Sequence, residues 1–99
     1  MLTHQLTTLK NGLRLITVPM KGVESMTVMI GVGTGSRYET KQTNGLSHFL
    51  EHMLFKGTKK RSTTLDISST LDSIGAEFNG GTEKEWTLYY VKANAAHQN

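Results

Sequence analysis

The sequence predicts an α+β fold, and three observations carry the prediction. Runs of alternating apolar residues open the chain, two stretches with a 3.6-residue apolar period follow, and alternation returns near the end. Ninety-nine residues, 36% of them hydrophobic, suffice for one small domain with a modest core.

The first element is announced by Lys10-Asn11-Gly12-Leu13. Asn-Gly tolerates the positive φ that both central positions of a type I′ turn require, so residues 5–9 and 13–18 are expected to pair as a hairpin. In the second arm Leu13 and Leu15 fall on one face, and Ile16 and Val18 on the other, as in a strand covered on both sides. Pro19 cannot donate to a ladder and ends it. Residues 25–32 alternate Met26, Val28, Ile30 and Val32 with Thr27, Met29 and Gly31, which reads as a further strand. Gly31, Gly33 and Gly35 invite comparison with a nucleotide loop. Ser36, however, stands where a dinucleotide fingerprint needs its third glycine, and no Gly-Lys-Ser/Thr occurs. A bend or bulge at the strand end is the expected role.

Residues 45–55 are expected to be helical, with Leu46, Phe49, Leu50, Met53 and Leu54 in one apolar stripe and Gly57 as a stop. A second helix is expected over 64–74. Thr63 and Asp66 form a capping box with Asp in place of Glu, Ile67, Leu71 and Ile74 supply the stripe, and Gly75 suits the C′ position. Residues 77–81 and 85–93 read as extended, the latter with Trp86, Leu88 and Tyr90 opposite Thr87, Tyr89 and Val91.

Composition closes off several functions. The chain has no cysteine, so disulfide frameworks, thiolate zinc fingers, iron–sulfur ligation and cysteine nucleophiles are excluded. Eleven Lys and Arg against eight Asp and Glu give a net charge of +3. The densest basic run, Lys56, Lys59, Lys60 and Arg61, reads as a solvated loop, and no nucleic-acid partner is expected. No apolar run approaches a membrane span and no secretory pattern opens the sequence. No membrane partner is expected, and the cytoplasm is the expected compartment.

One constellation carries chemistry. In His48-Phe49-Leu50-Glu51-His52 the two imidazoles lie about 40° apart on a helical wheel, away from the apolar stripe. Residues at i and i+4 have Cβ atoms roughly 5–6 Å apart, so both rings can converge on one ion at about 2.0–2.1 Å. Glu51 projects from the same half of the helix. A carboxylate there can take a proton from a metal-bound water, whose pKa zinc lowers toward about 7, and return it to a leaving amine. Two histidines on the wet face of an amphipathic helix can equally be without function, so the motif needs its context.

That context resembles a known family. Residues 45–58, Gly-Leu-Ser-His-Phe-Leu-Glu-His-Met-Leu-Phe-Lys-Gly-Thr, are similar to the zinc helix of the pitrilysin-type metallopeptidases, which carry the inverted His-x-x-Glu-His motif. The family includes insulin-degrading enzyme and the mitochondrial processing peptidase. Asn11-Gly12-Leu13-Arg14, residues 31–39, residues 75–82 and Trp86-Thr87-Leu88-Tyr89-Tyr90 match its layout in order. The resemblance implies the N-terminal portion of the family's metallohydrolase domain, an antiparallel-rich sheet with helices packed on one face.

It further implies a Zn2+ cofactor held by His48 and His52, with Glu51 as general base. Asn79, Gly80 and Gly81 would lie on a strand that pairs with extended substrate, a peptide or unfolded polypeptide segment. Family members more often carry larger residues where Gly80 and Gly81 stand, and two glycines remove side-chain pockets. The family's third zinc ligand is a Glu on a later helix, and the residues after His52 end before that helix. Residues 1–99 are therefore expected to be one partial domain, truncated before the third ligand. Its activity would need the remainder of a longer chain or a partner subunit that closes the chamber. The alternative is a non-catalytic peptide-binding or structural relative.

Overall fold

A computed structural model describes residues 3–99. The chain order is two short strands, a long strand, two helices and two further strands: β1 (Gln5–Thr8), β2 (Arg14–Thr17), β3 (Ser25–Val32), α1 (Leu46–Leu54), α2 (Thr64–Asp72), β4 (Glu77–Thr82) and β5 (Thr87–Asn94). Short 3-10 turns occupy Ser36–Tyr38 and Ala95–His97.

β1 and β2 pair antiparallel, Gln5 opposite Thr17 and Thr8 opposite Arg14. Their connection corrects the expected turn. No non-glycine residue among those described has positive φ, so Asn11 cannot sit in a type I′ turn. The Gly12 N–H bonds to the Leu9 carbonyl at 2.9 Å, and Leu9 N–H to the Leu13 carbonyl at 2.8 Å. With Gly12 at φ 87°, this is a three-residue loop, a type I turn closed by a left-handed glycine bulge. The Asn11 side chain accepts from the Leu13 N–H at 3.0 Å, a local bond that favours this loop. β2 was also expected to be covered on both sides. Instead Leu13, Leu15, Ile16 and Val18 are all exposed, because β1 and β2 form a two-stranded sheet of their own.

The main sheet has strand order β3-β5-β4, antiparallel throughout. Its register places Val28 and Phe78 beside Val91, and Ile30 and Gly80 beside Tyr89, on a single face. Both helices contact β4 on that face, α2 through half-buried Ile67 and Leu71. The α+β architecture with helices on one face of an antiparallel sheet is thus present. The capping box of α2 forms as expected, with Asp66 N–H to Thr63 Oγ1 at 3.1 Å and Thr63 N–H to Asp66 Oδ2 at 3.0 Å. Gly75, at φ 64°, lets the chain turn back after that helix.

The glycine run is a bend, not a ligand loop. Gly31 stays in β3, and the chain then crosses the turn between β4 and β5. A Cβ on Gly35 would collide with the backbone of Glu83 and Lys84. Arg37 N–H bonds to the Lys84 carbonyl at 2.8 Å, and the hydroxyl of Thr87, buried at 2% exposure, donates to the Thr34 carbonyl at 3.1 Å. Three independent contacts hold this crossing.

Candidate metal centre and substrate edge

α1 has no side-chain cap of its own, since Gly45 at φ 84° precedes it. Glu39 supplies the cap from outside. Its carboxylate accepts from Ser47 N–H at 2.8 Å and Gly45 N–H at 2.7 Å, satisfying amides that the first helical turn leaves unpaired. The Ser47 amide first, then that of Gly45, holds the Glu39 carboxyl below its ordinary range.

One helical turn further on, the two imidazoles face each other. His48 Nε2 and His52 Nε2 are 2.9 Å apart, with ring centroids at 4.7 Å and planes tilted by 47°. A tetrahedral centre with bonds near 2.0–2.1 Å would separate two ligand nitrogens by about 3.3–3.4 Å. Small ring rotations would move the nitrogens apart by those few tenths of an ångström, and both histidines are solvent-exposed, so the pair fits one zinc ion. Among the described residues no group of three His, Cys, Asp or Glu side chains is placed to share a cation. A catalytic zinc takes three protein ligands, and the facing imidazoles could supply two of them.

Glu51, on the same half of the helix, leans toward the sheet. It is half-buried, and its Oε2 accepts a 2.5 Å hydrogen bond from the Thr82 hydroxyl at the end of β4. Nearby, burial pushes the Tyr89 phenol above its ordinary range, and the Glu51 charge adds to the effect. An open cleft of about 520 Å³ lies between the start of α1 and the end of β4, lined by His48, Glu51, Gly81 and Thr82 together with Glu39 and Lys84.

β4 forms one edge of its sheet. Glu83 N–H bonds to the Trp86 carbonyl at 2.8 Å, which fixes the alternation along the ladder. Opposite β5, Gly81 and Asn79 are the hydrogen-bonded positions, whereas Thr82, Gly80 and Phe78 turn their backbone groups to the free side. On that side the Asn79 Oδ1 accepts from the Gly80 N–H at 2.8 Å.

The structure thus brings together His48, Glu51 and Gly81 around one cleft, with His52 beside His48 and with Asn79 and Gly80 further along the same strand as Gly81. Gly80 also carries a packing role that spacing does not reveal. A Cβ there would meet Phe55 and Tyr89 at 3.1 Å each, whereas Gly81 faces open space. Glu39 and Thr82 acquire roles that no local pattern announces. For Glu39 a signal existed, an acidic residue just upstream of a helix whose N-cap position is glycine. For Thr82 there was none, because its partner lies 31 positions away.

Fold and relatives together place the chain in a peptidase family. The family model described as insulinase (peptidase family M16) matches residues 15–98, and the chain belongs to that family. It is 51% identical over 90 residues to a zinc protease of Streptomyces coelicolor, covering 91% of this chain and 19% of that one. It is 48% identical over 89 residues to the rat mitochondrial-processing peptidase subunit beta, covering 90% and 18%. Among solved structures, a protease from Helicobacter pylori superimposes with a TM-score of 0.88 at 31% identity, over 96% of this chain and 23% of that one. The chain spans about a fifth of the length of these proteins.

Proposed function

We propose that this chain carries part of the active site of a zinc-dependent endopeptidase, with His48 and His52 as metal ligands and Glu51 as general base. The observation that carries the reading is the facing pair of imidazole nitrogens at 2.9 Å, one turn apart and next to a carboxylate at the mouth of a cleft. Relatives named as zinc proteases support the same metal. Zinc bound there would polarise the scissile carbonyl and acidify a water molecule.

The chain's own residues do the rest. Glu51 takes the proton from the attacking water and returns it to the leaving amine. The free edge of β4 at Phe78 and Thr82, and at Gly80 once the Asn79 side chain yields its N–H, pairs with an extended peptide through main-chain hydrogen bonds, which gives affinity with little dependence on sequence. Peptides and unfolded segments are therefore the substrate class. The third ligand, a carboxylate, lies outside these 99 residues, and so does the remainder of the protein or the partner subunit that closes the chamber.

The test uses the full-length protein. Cleavage of a peptide should be lost on chelation and restored by zinc. Glu51→Gln should abolish turnover while zinc content stays at the wild-type level, and His48→Ala should lose the metal. Turnover retained in Glu51→Gln would remove this mechanism.

A further inference from the structure

We infer that Thr82 is the positioning residue for Glu51, and that it carries occupancy of the β4 edge to the general base. The inference rests on the reading of Glu51 above. Thr82 has two faces with separate jobs. Its N–H and C=O point to the free edge, where a peptide would pair, while its hydroxyl points to the helix face and donates to Glu51 Oε2. A glutamate side chain on a helix turns about three bonds. One strong charge-assisted hydrogen bond selects a single orientation and leaves Oε1 as the oxygen free to accept a proton.

The donor is itself held firmly. Thr82 is β-branched and stiff at χ1, and it sits opposite Thr87, whose buried hydroxyl is bonded to Thr34. The base is thus referenced to the sheet rather than to its own exposed helix. A strand added at the edge bonds the backbone of the residue whose hydroxyl orients the base. Peptide capture and base alignment thereby become one event, and an extended segment aligns the base where a non-extended one does not.

The experiment compares Thr82→Val, which keeps the shape and loses the hydroxyl, with Thr82→Ser, which keeps the hydroxyl, in the full-length enzyme. Thr82→Val should lower kcat about tenfold or more, with KM for an extended peptide changed less than about threefold and zinc content unchanged. Thr82→Ser should stay within about threefold of wild type. A second readout needs no metal. In the zinc-free protein the carbon-13 carboxyl resonance of Glu51, assigned by its loss in Glu51→Gln, should move in Thr82→Val and return in Thr82→Ser. A peptide with a reduced scissile amide should shift that resonance in wild type and not in Thr82→Val.

If Thr82→Val fails to fold, Thr82→Ala against Thr82→Ser gives the same comparison. Wild-type kcat without the hydroxyl, equal losses in the valine and serine variants, or an unmoved resonance would overturn the inference. Those results with an inactive Glu51→Gln remove Thr82 alone. An active Glu51→Gln removes the proposed function itself.

Discussion

Gly80 and Gly81 are neighbours with opposite physics. The site of a Cβ on Gly80 is already filled by the rings of Phe55 and Tyr89, whose centroids lie 6.3 Å apart beneath α1, while that on Gly81 is empty. Gly80→Val should therefore destabilise the protein by about 1–3 kcal/mol through overpacking. Gly81→Ala should be neutral or stabilise it by up to about 1 kcal/mol, by restricting the unfolded chain. Denaturant titration of both variants checks the order, and a Gly81→Ala protein less stable than Gly80→Val would contradict it. The sequence treats both positions alike, as glycines of one strand that lack side-chain pockets. Which one is crowded depends on where Phe55 falls across the sheet. The imidazole pair is different, because its partners are four residues apart and helix geometry alone brings them together.

At the scale of elements, α1 lies against the sheet by an unexpected face. Its apolar stripe, Leu46, Phe49, Leu50, Met53 and Leu54, was expected to be the buried side. Those residues are instead 45–62% exposed, and the half-buried line is Ser47, Glu51 and Phe55. The Thr82–Glu51 bond and the aromatic contacts of Phe55 with Phe78 and Tyr89 set that orientation. Both helix starts depend on carboxylates. Glu39 accepts from the amides of α1, and Asp66, held below its ordinary range chiefly by the Thr63 hydroxyl, closes the box of α2. A depressed carboxyl means that the unfolded chain binds protons first. The stabilisation is complete above the ordinary value of 4.5 for Glu39 and is lost as pH falls through the lower folded value. Circular dichroism should show helical signal falling over that acidic window, and Glu39→Gln should remove the part of the pH dependence that belongs to α1. Thr63→Ala should cost about 1 kcal/mol of stability by the same measurement, and no loss would show that the box is idle.

Taken whole, the molecule exposes far more surface than its size requires. It presents 8471 Å², against about 5,600 Å² for a folded chain of this mass, and its radius of gyration is 15.8 Å against about 13 Å. No hydrophobic side chain among the described residues is fully buried. Val28 and Ile30 on β3 stand more than half exposed beside an apolar groove of about 240 Å³ between the sheet and the helices. The 99-residue chain in isolation should therefore self-associate, which sedimentation would show as concentration-dependent mass. With two imidazoles in place of three ligands it should bind zinc weakly. Tight one-to-one zinc by metal analysis would contradict that expectation and point to a local third donor.

Local pattern alone determined the element types, the capping box at Thr63 and Asp66, the imidazoles converging across one helical turn, and, through ordered matches along the chain, the family. These are properties of residues a few positions apart, where backbone geometry dictates the distance. Tertiary structure decided which face of α1 meets β4, that Thr82 reaches Glu51, that Glu39 caps α1 and that Gly80 makes room for Phe55. Such contacts join distant positions, and only strand register and packing bring them within bonding reach.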